Sequence, residues 1–389
     1  MRRFLPARCA LSGPAALPQG STTANLMHLP RSLVVFASLA PALLSQTLVR
    51  DLAPPLYQRS SNPAGIVDLN GVAIFAATTA HGAELWRSDG TPAGTWLIED
   101  LNPGSLGSNP GNLCVLGNCV VFTATVAGIG NELWRTDGTA AGTYLLADLS
   151  PGIGGGAPTH MVSFGGHAYF TAYDAALGYE LWRTDGTVTG TGLWADLVPG
   201  AVSSSPSNLA VAAGQLFFSA YSPTLGTELW RSDGTIAGTV MVRDMYPGSG
   251  SSNISSLVGT PGGVYYVAYG PGGIGYELHF SDGTFANTRL VVDLIPGTGS
   301  PSFTYMTPFG NALLFGVDDG LGAGFEPYYS DGTAAGTRRL ADLNPGTASS
   351  SPYNFRQVSA SRAIFTAYVP STGYELYSTD GTVAGTGLV

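Results

Sequence analysis

The chain has no lysine: all sixteen basic residues are arginine, against 26 acidic residues, for a formal net charge of −10 over 389 residues. Only 11% of residues are charged, and no run of basic residues occurs in the body of the sequence. Nucleic acid and anionic membrane surfaces are therefore excluded as expected partners, because both are held by clustered positive charge. Long amphipathic helical patterns are missing as well. Cysteine is scarce, at positions 9, 114 and 119, too few for a disulfide-built fold. The five histidines, His28, His81, His160, His167 and His279, show no paired metal-ligand spacing, and no HExxH, GxSxG or phosphate loop occurs; each of those chemistries would need its own pattern.

Turn residues and rings are abundant: Gly 54, Pro 26, and aromatics at 10%. That mix points to many short strands joined by tight turns. The length admits two or three ordinary domains, or a single large β-propeller or barrel. At the N-terminus, MHLPRSLVVFASLAPALLSQ from Met27 has a short Arg-bearing start, an apolar stretch from Leu33 to Leu44, and small Ser45 before Gln46. The stretch is too short for a membrane anchor and fits an export signal cleaved near Ser45. Residues 1–46 are thus expected to be an extension plus signal (about 27–45), and 47–389 the mature body. The expected location is secreted, periplasmic or cell-surface, with no membrane span after cleavage; a retained anchor is the alternative.

The body is a repeat. The phrase ELWRSDGTPAGT begins at Glu84, and its Glu recurs at 132, 180, 228, 277, 326 and 375, a step of 48 or 49 residues. The period suits a propeller blade and is far too long for a β-helix coil. One copy resolves into four strands, as in Asn112 to Leu116, Cys119 to Thr125, Asn131 to Thr136 and Thr143 to Leu149, followed by a Pro-Gly-rich crossing. Separate β-domains of this size could not each bury a core. The expected fold is all-β: a seven-bladed β-propeller of four-stranded antiparallel blades. An Asp followed by Leu, or by Met245 in one copy, ends the fourth strand of six copies, and an extra Asp-Leu pair, Asp51-Leu52, precedes the first complete set. LVRDL, residues 48–52, is therefore expected to complete the last blade and close the ring, removing a sheet edge; the C-terminal TGLV competes for that edge, and a truncated longer array is the rival.

The phrase resembles the bacterial tandem repeat named for the consensus ELWxxDGT. It is closest in ELWRSDGT, ELWRTDGT, ELWRTDGT and ELWRSDGT, and drifts to ELHFSDGT, EPYYSDGT and ELYSTDGT. The match covers about Leu48 to the C-terminus. The resemblance implies an exported or surface repeat protein and supplies no catalytic residues.

Each repeated residue has a structural explanation. In Asp-Gly-Thr, Gly accepts positive φ while the Asp and Thr side chains bond nearby amides, so a turn is expected rather than a calcium loop. Trp86, Trp134, Trp182 and Trp230, with Tyr328 and Tyr377, fill space between blades. The adjoining Arg87, Arg135, Arg183 and Arg231 are expected in inter-blade ion pairs or along a rim. The repeated Glu and the Asp ending the fourth strand meet at one end of each blade. Like charges so close need compensation by amides, an Arg or a metal. Loop capping is expected and no cofactor is required; calcium at these pairs is the alternative. Cys114 and Cys119 could be bonded across a four-residue turn, whereas a two-residue turn at Gly117-Asn118 would set them diagonally.

Copies differ most in the loops between second and third strands, where the candidate ligand-binding residues lie: Tyr173, Asp174, Tyr179, Tyr221, Tyr269, Tyr276, Asp318, Asp319, Phe325, Tyr368 and Tyr374. Aromatic and acidic groups around a propeller mouth suit a sugar or a protein surface, though the tyrosines could simply cap strand ends. The expected function is an exported, non-enzymatic binding or scaffold protein, a monomer, contacting an extracellular protein or polysaccharide. A polysaccharide lyase or glycosidase using Asp174, Asp318 or Asp319, and a calcium-stabilised adhesion module, are the alternatives.

Overall fold

The structure, a computed structural model, describes residues 49, 50, 52, 60–270 and 272–389. The extension, the export signal, and Leu48 and Asp51 of LVRDL lie outside the described residues. The described chain forms seven four-stranded antiparallel sheets, and no helix in it is long and apolar enough to cross a membrane. Blade 1 consists of Ala64–Leu69, Val72–Thr79, Gly82–Ser88 and Trp96–Glu99. Blade 6 consists of Ser302–Phe309, Ala312–Asp318, Phe325–Ser330 and Arg338–Arg339, and blade 7 of Tyr353–Ser359, Arg362–Val369, Gly373–Thr379 and Gly387–Leu388. The first strands of successive blades from 1 to 7 lie side by side, so they form the inner wall. The seven-bladed propeller follows from this order.

Burial explains why each strand reads as it does. Second strands such as Cys119–Val126 are buried along almost their whole length, because neighbouring blades cover both faces; their sequences are accordingly near-continuous apolar runs. Phe122, Phe170, Phe218, Phe315 and Phe365 are fully buried there, each stabilising by about 2 kcal/mol through burial. Each of six hydrophobic clusters is shared by two successive blades, so no blade stands alone.

The seam between blade 7 and blade 1 corrects one expectation. Residues 50 and 52 carry no strand, and the fourth strand of blade 7 is the chain's own Gly387–Leu388, paired with Tyr377 and Ser378. Leu52 nevertheless packs on Phe75, Ala77 and Trp86 of blade 1, and the Arg50 guanidinium donates to the Thr95 carbonyl. Arg243 of blade 4 makes the same bond to Thr288 of blade 5 at 2.6 Å. The described residues of the segment thus sit against blade 1 where a preceding blade's fourth strand would run, and carry no strand there.

Candidate functional site

The repeated phrase builds its turn from side chains. Asp89 Oδ1 accepts from the Thr91 amide at 2.9 Å and its hydroxyl at 2.7 Å, and the Thr91 hydroxyl accepts from the Gly94 amide. A Cβ on Gly94 would meet the Asp89 carboxylate at 1.8 Å, which is why Gly returns there. Arg87 and Arg135 bond backbone carbonyls rather than carboxylates, a correction to the ion pairs that were one of the two expectations for them. Arg87 and Arg135 donate to Gly138 and Gly186 in the next blade's turn at 3.3 and 3.1 Å. Their guanidinium groups lie over Trp96 and Tyr144 at 4.3 and 5.2 Å. Trp182 and Trp230 are packed inside, each donating its indole N–H to a second-strand carbonyl at 3.1 Å.

The repeated Glu clamps the crossing to the next blade. Glu84 accepts from the Leu101 amide at 3.3 Å, the Ser108 amide at 2.7 Å and the Ser108 hydroxyl at 2.5 Å. Glu132, Glu180, Glu228 and Glu326 take the matching amides. All five, with Glu277, are fully buried, and desolvation raises the pKa of each, reaching about 7 at Glu228 and Glu277. Glu277 is short of donors: the residue 24 positions on is Pro301, which has no amide hydrogen, where the other copies hold Ser or Gly. It keeps only the Leu294 and Ile295 amides, at 3.0 and 3.4 Å. The neighbouring Asp100, Asp196, Asp244 and Asp293 each leave one buried oxygen without a partner.

The expected loop residues fall into separate groups. Tyr173 and Tyr179 pack at 5.1 Å, with Asp174 turned back onto the Ala176 and Leu177 amides. Tyr269 packs on Tyr276 at 5.3 Å, and Tyr368 on Tyr374 at 5.2 Å. Tyr221 is half-buried on its own blade. Asp318 accepts from the Gly320 amide. Asp319 is buried and takes the Tyr328 hydroxyl at 2.5 Å, so it braces blade 6 rather than facing the mouth.

Of the expected residues, Phe325 and Tyr374 line an open cleft of about 470 Å³ between blades 6 and 7. Its other ring walls, Tyr305 and Tyr353, were not foreseen because they lie on first strands. Tyr305 is 6.1 Å from Tyr353, which meets Tyr374 edge-on at 5.7 Å. Tyr305 and Tyr374 remain 58% and 56% exposed. The lining is completed by Thr304, Ser351 and Pro352, with no charged side chain. Gly316 makes room: a Cβ there would come within 2.6 Å of Thr304 and 3.1 Å of Pro352.

Both unforeseen rings depart from the repeat. The position of Tyr305 has positive φ in every blade, at Gly65, Asn112, His160, Asn208, Ser256, Tyr305 (φ 51) and Asn354. In blades 2 and 4 the Asn amide donates to Pro158 and Ile254 of the next blade at 3.1 Å. A bulky ring in this backbone region is an outlier that costs about 1–2 kcal/mol. The position of Tyr353 holds Ala64, Gly111, Thr159, Ser207, Ser255 and Thr304 elsewhere. The internal signal for both was a ring where all other copies are small or polar.

No family model matches the sequence, and no curated protein matches it. Among solved structures, the chain is similar to a prolyl endopeptidase described for inter-domain dynamics in catalysis and specificity, at 12% identity and TM-score 0.52, over 85% of this chain and 50% of that one. It is similar to oligopeptidase B from Leishmania major, at 12% identity and TM-score 0.51, over 85% and 48%. It also matches the β-propeller domain of the Trilobed protease from Pyrococcus furiosus, at 8% identity and TM-score 0.46, over 82% and 95%. The chain spans about half the length of the first two, and these likenesses are of fold. They correct the expectation of a free-standing non-enzymatic scaffold: the solved chains sharing the fold at the higher scores are peptidases in which such a propeller-sized stretch is one half.

Proposed function

We propose that the chain is a peptidase-associated propeller, receiving an extended polypeptide at the face that carries the crossings and presenting it to a hydrolytic centre supplied by another domain or subunit. The observation that carries this reading is the uncharged, ring-walled cleft between blades 6 and 7. Sugar-cleaving chemistry needs two carboxyl groups flanking the substrate, and the cleft's lining holds none. Rings and hydroxyls, by contrast, bind apolar side chains and backbone carbonyls together. The export-like N-terminal sequence supports a site of action outside the cytoplasm, and the ELWxxDGT-like repeat is the frame that holds the cleft.

Calorimetry of the full chain with unstructured peptides and with neutral oligosaccharides tests the reading. Peptides are expected to bind with Kd on the order of 0.1 mM and to be recovered uncut, while the oligosaccharides give no heat. Binding of oligosaccharide alone would sink it.

A further inference from the structure

We infer that the blade 6–7 cleft selects proline-containing segments in the polyproline II conformation. This deepens the peptide reading above and rests on it. The argument begins with Tyr305 and Tyr353, two adjacent rings at positions where the fold itself asks for something else. Asn serves the Tyr305 position in blades 2, 4 and 7, including the inter-blade bond it makes in blades 2 and 4. Small residues serve the Tyr353 position in all other blades. Blade construction therefore explains neither ring, and both open onto one cavity with Phe325 and Tyr374.

The chemistry of the walls narrows the ligand. The polar side-chain groups of the lining are hydroxyls, on Tyr305, Tyr353, Tyr374, Thr304 and Ser351; there is no carboxylate, amide or guanidinium. Hydroxyls can donate to carbonyls, and rings offer faces for flat apolar groups. A polyproline II segment presents the matching surface: carbonyls pointing outward, no N–H at each proline, and pyrrolidine rings on the ridges. Such a segment loses little conformational entropy on docking, and aromatic-lined grooves are the recurring way proteins hold it. A saccharide would offer many hydroxyl donors in need of strong acceptors, which these walls do not concentrate.

The test uses the full chain and labelled peptides in fluorescence anisotropy: an alternating Ala-Pro peptide against an Ala-Ser peptide of equal length. The Ala-Pro peptide is expected to bind at least about 10-fold tighter. Tyr305→Asn, which installs the residue blades 2, 4 and 7 use at this backbone angle, is expected to lose most of that preference while melting at or above the parent temperature. If Tyr305→Asn melts lower, Tyr374→Thr, the residue blade 4 holds at Thr227, takes its place with the same expectation. Equal affinity for the two peptides would overturn the proline inference and leave the peptide reading standing. Binding of neither would overturn both. Undiminished preference in Tyr305→Asn and Tyr374→Thr would move the site away from this cleft.

Discussion

Blades 1 to 4 and blades 5 to 7 share one plan and differ in how strictly they keep it. In the first group the third strand keeps Trp, the buried Glu receives an amide from each end of the crossing, and the first-strand bulge holds Gly, Asn, His and Asn. In the second, Trp becomes His279, Tyr328 and Tyr377, Pro301 removes one amide, and the bulge acquires Tyr305. His279 is fully buried against Tyr266, with ring centroids 5.4 Å apart, and desolvation lowers its pKa to about 4, so it packs as a neutral ring. The lesson is that a repeat position departs from its copies for one of two reasons. Some departures repack the core, as His279 does; others, like Tyr305, leave a ring half in solvent and serve something outside the fold.

The sharpest way to break this comparison is to remove the same residue from a clamped and an unclamped blade. Glu228 is buried under the Met245 and Ser252 amides, at 2.9 and 3.0 Å. Glu375 occupies the same repeat position in blade 7 but is exposed. Glu228→Ala strands those donors and leaves a void, and is expected to cost about 3 kcal/mol or more. Glu375→Ala should cost under about 0.5 kcal/mol. Urea unfolding of both variants decides the matter: equal losses would mean that the Glu is held for a reason other than its crossing.

Much of this was legible in the sequence because repetition exposes geometry. The period gave the blade, the Asp-Gly pair the turn, and the Glu the end at which crossings gather. The seam was not legible, since LVRDL and TGLV are equally good fourth strands by pattern and only packing separates them. The partners of the arginines were hidden for a similar reason: an inter-blade ion pair and a bond to the neighbouring blade's turn carbonyl look alike in sequence, and the Arg87 guanidinium reaches the next blade's Gly138 carbonyl. The cleft was half legible. Phe325 and Tyr374 sit in variable loops where aromatic residues attract attention, while Tyr305 and Tyr353 lie on strands, where a ring reads as core.

Proton linkage sharpens the contrast further, with a smaller effect. Glu228 and Glu277 have folded-state pKa values raised to about 7, above the value of about 4.3 for an unfolded Glu. A group that binds its proton more tightly when folded contributes stability that is complete below the unfolded value and is lost as pH rises through the folded one. The turn carboxylates act oppositely. Thr hydrogen bonds lower Asp89, Asp137, Asp185, Asp233 and Asp380, so their contribution holds above an unfolded value of about 3.9 and fades in stronger acid. The melting temperature is therefore expected to peak in mild acid and to fall by about 5 °C from pH 5 to pH 8. Pro301→Ser returns a donor to ionised Glu277 and should narrow that fall, a differential that cancels the unfolded-state effect of losing proline. A flat profile from pH 5 to 8 would contradict the burial account of the Glu ring.

The smallest expected effect comes from comparing the first hairpins of blades 2 and 3. Blade 2 holds Cys114 and Cys119 where blade 3 holds Val162 and His167, and a disulfide would have made blade 2 a special case. The register rules it out: Leu116 pairs with Cys119 and Cys114 with Val121, so the turn is the two-residue Gly117-Asn118 and the thiols lie on a diagonal. Both cysteines are free and buried in the cluster shared by blades 2 and 3. Desolvation raises both thiols, Cys114 to about 11, which leaves almost no thiolate at neutral pH. Here cysteine acts as a small apolar residue. The native protein is expected to react negligibly with an alkylating reagent over the time in which the denatured protein reacts fully, and reductant should move the melting temperature by less than about 1 °C. A larger reductant-dependent drop would mean that the hairpin is cross-linked and its register shifted, and blade 2 would then no longer be built like blade 3.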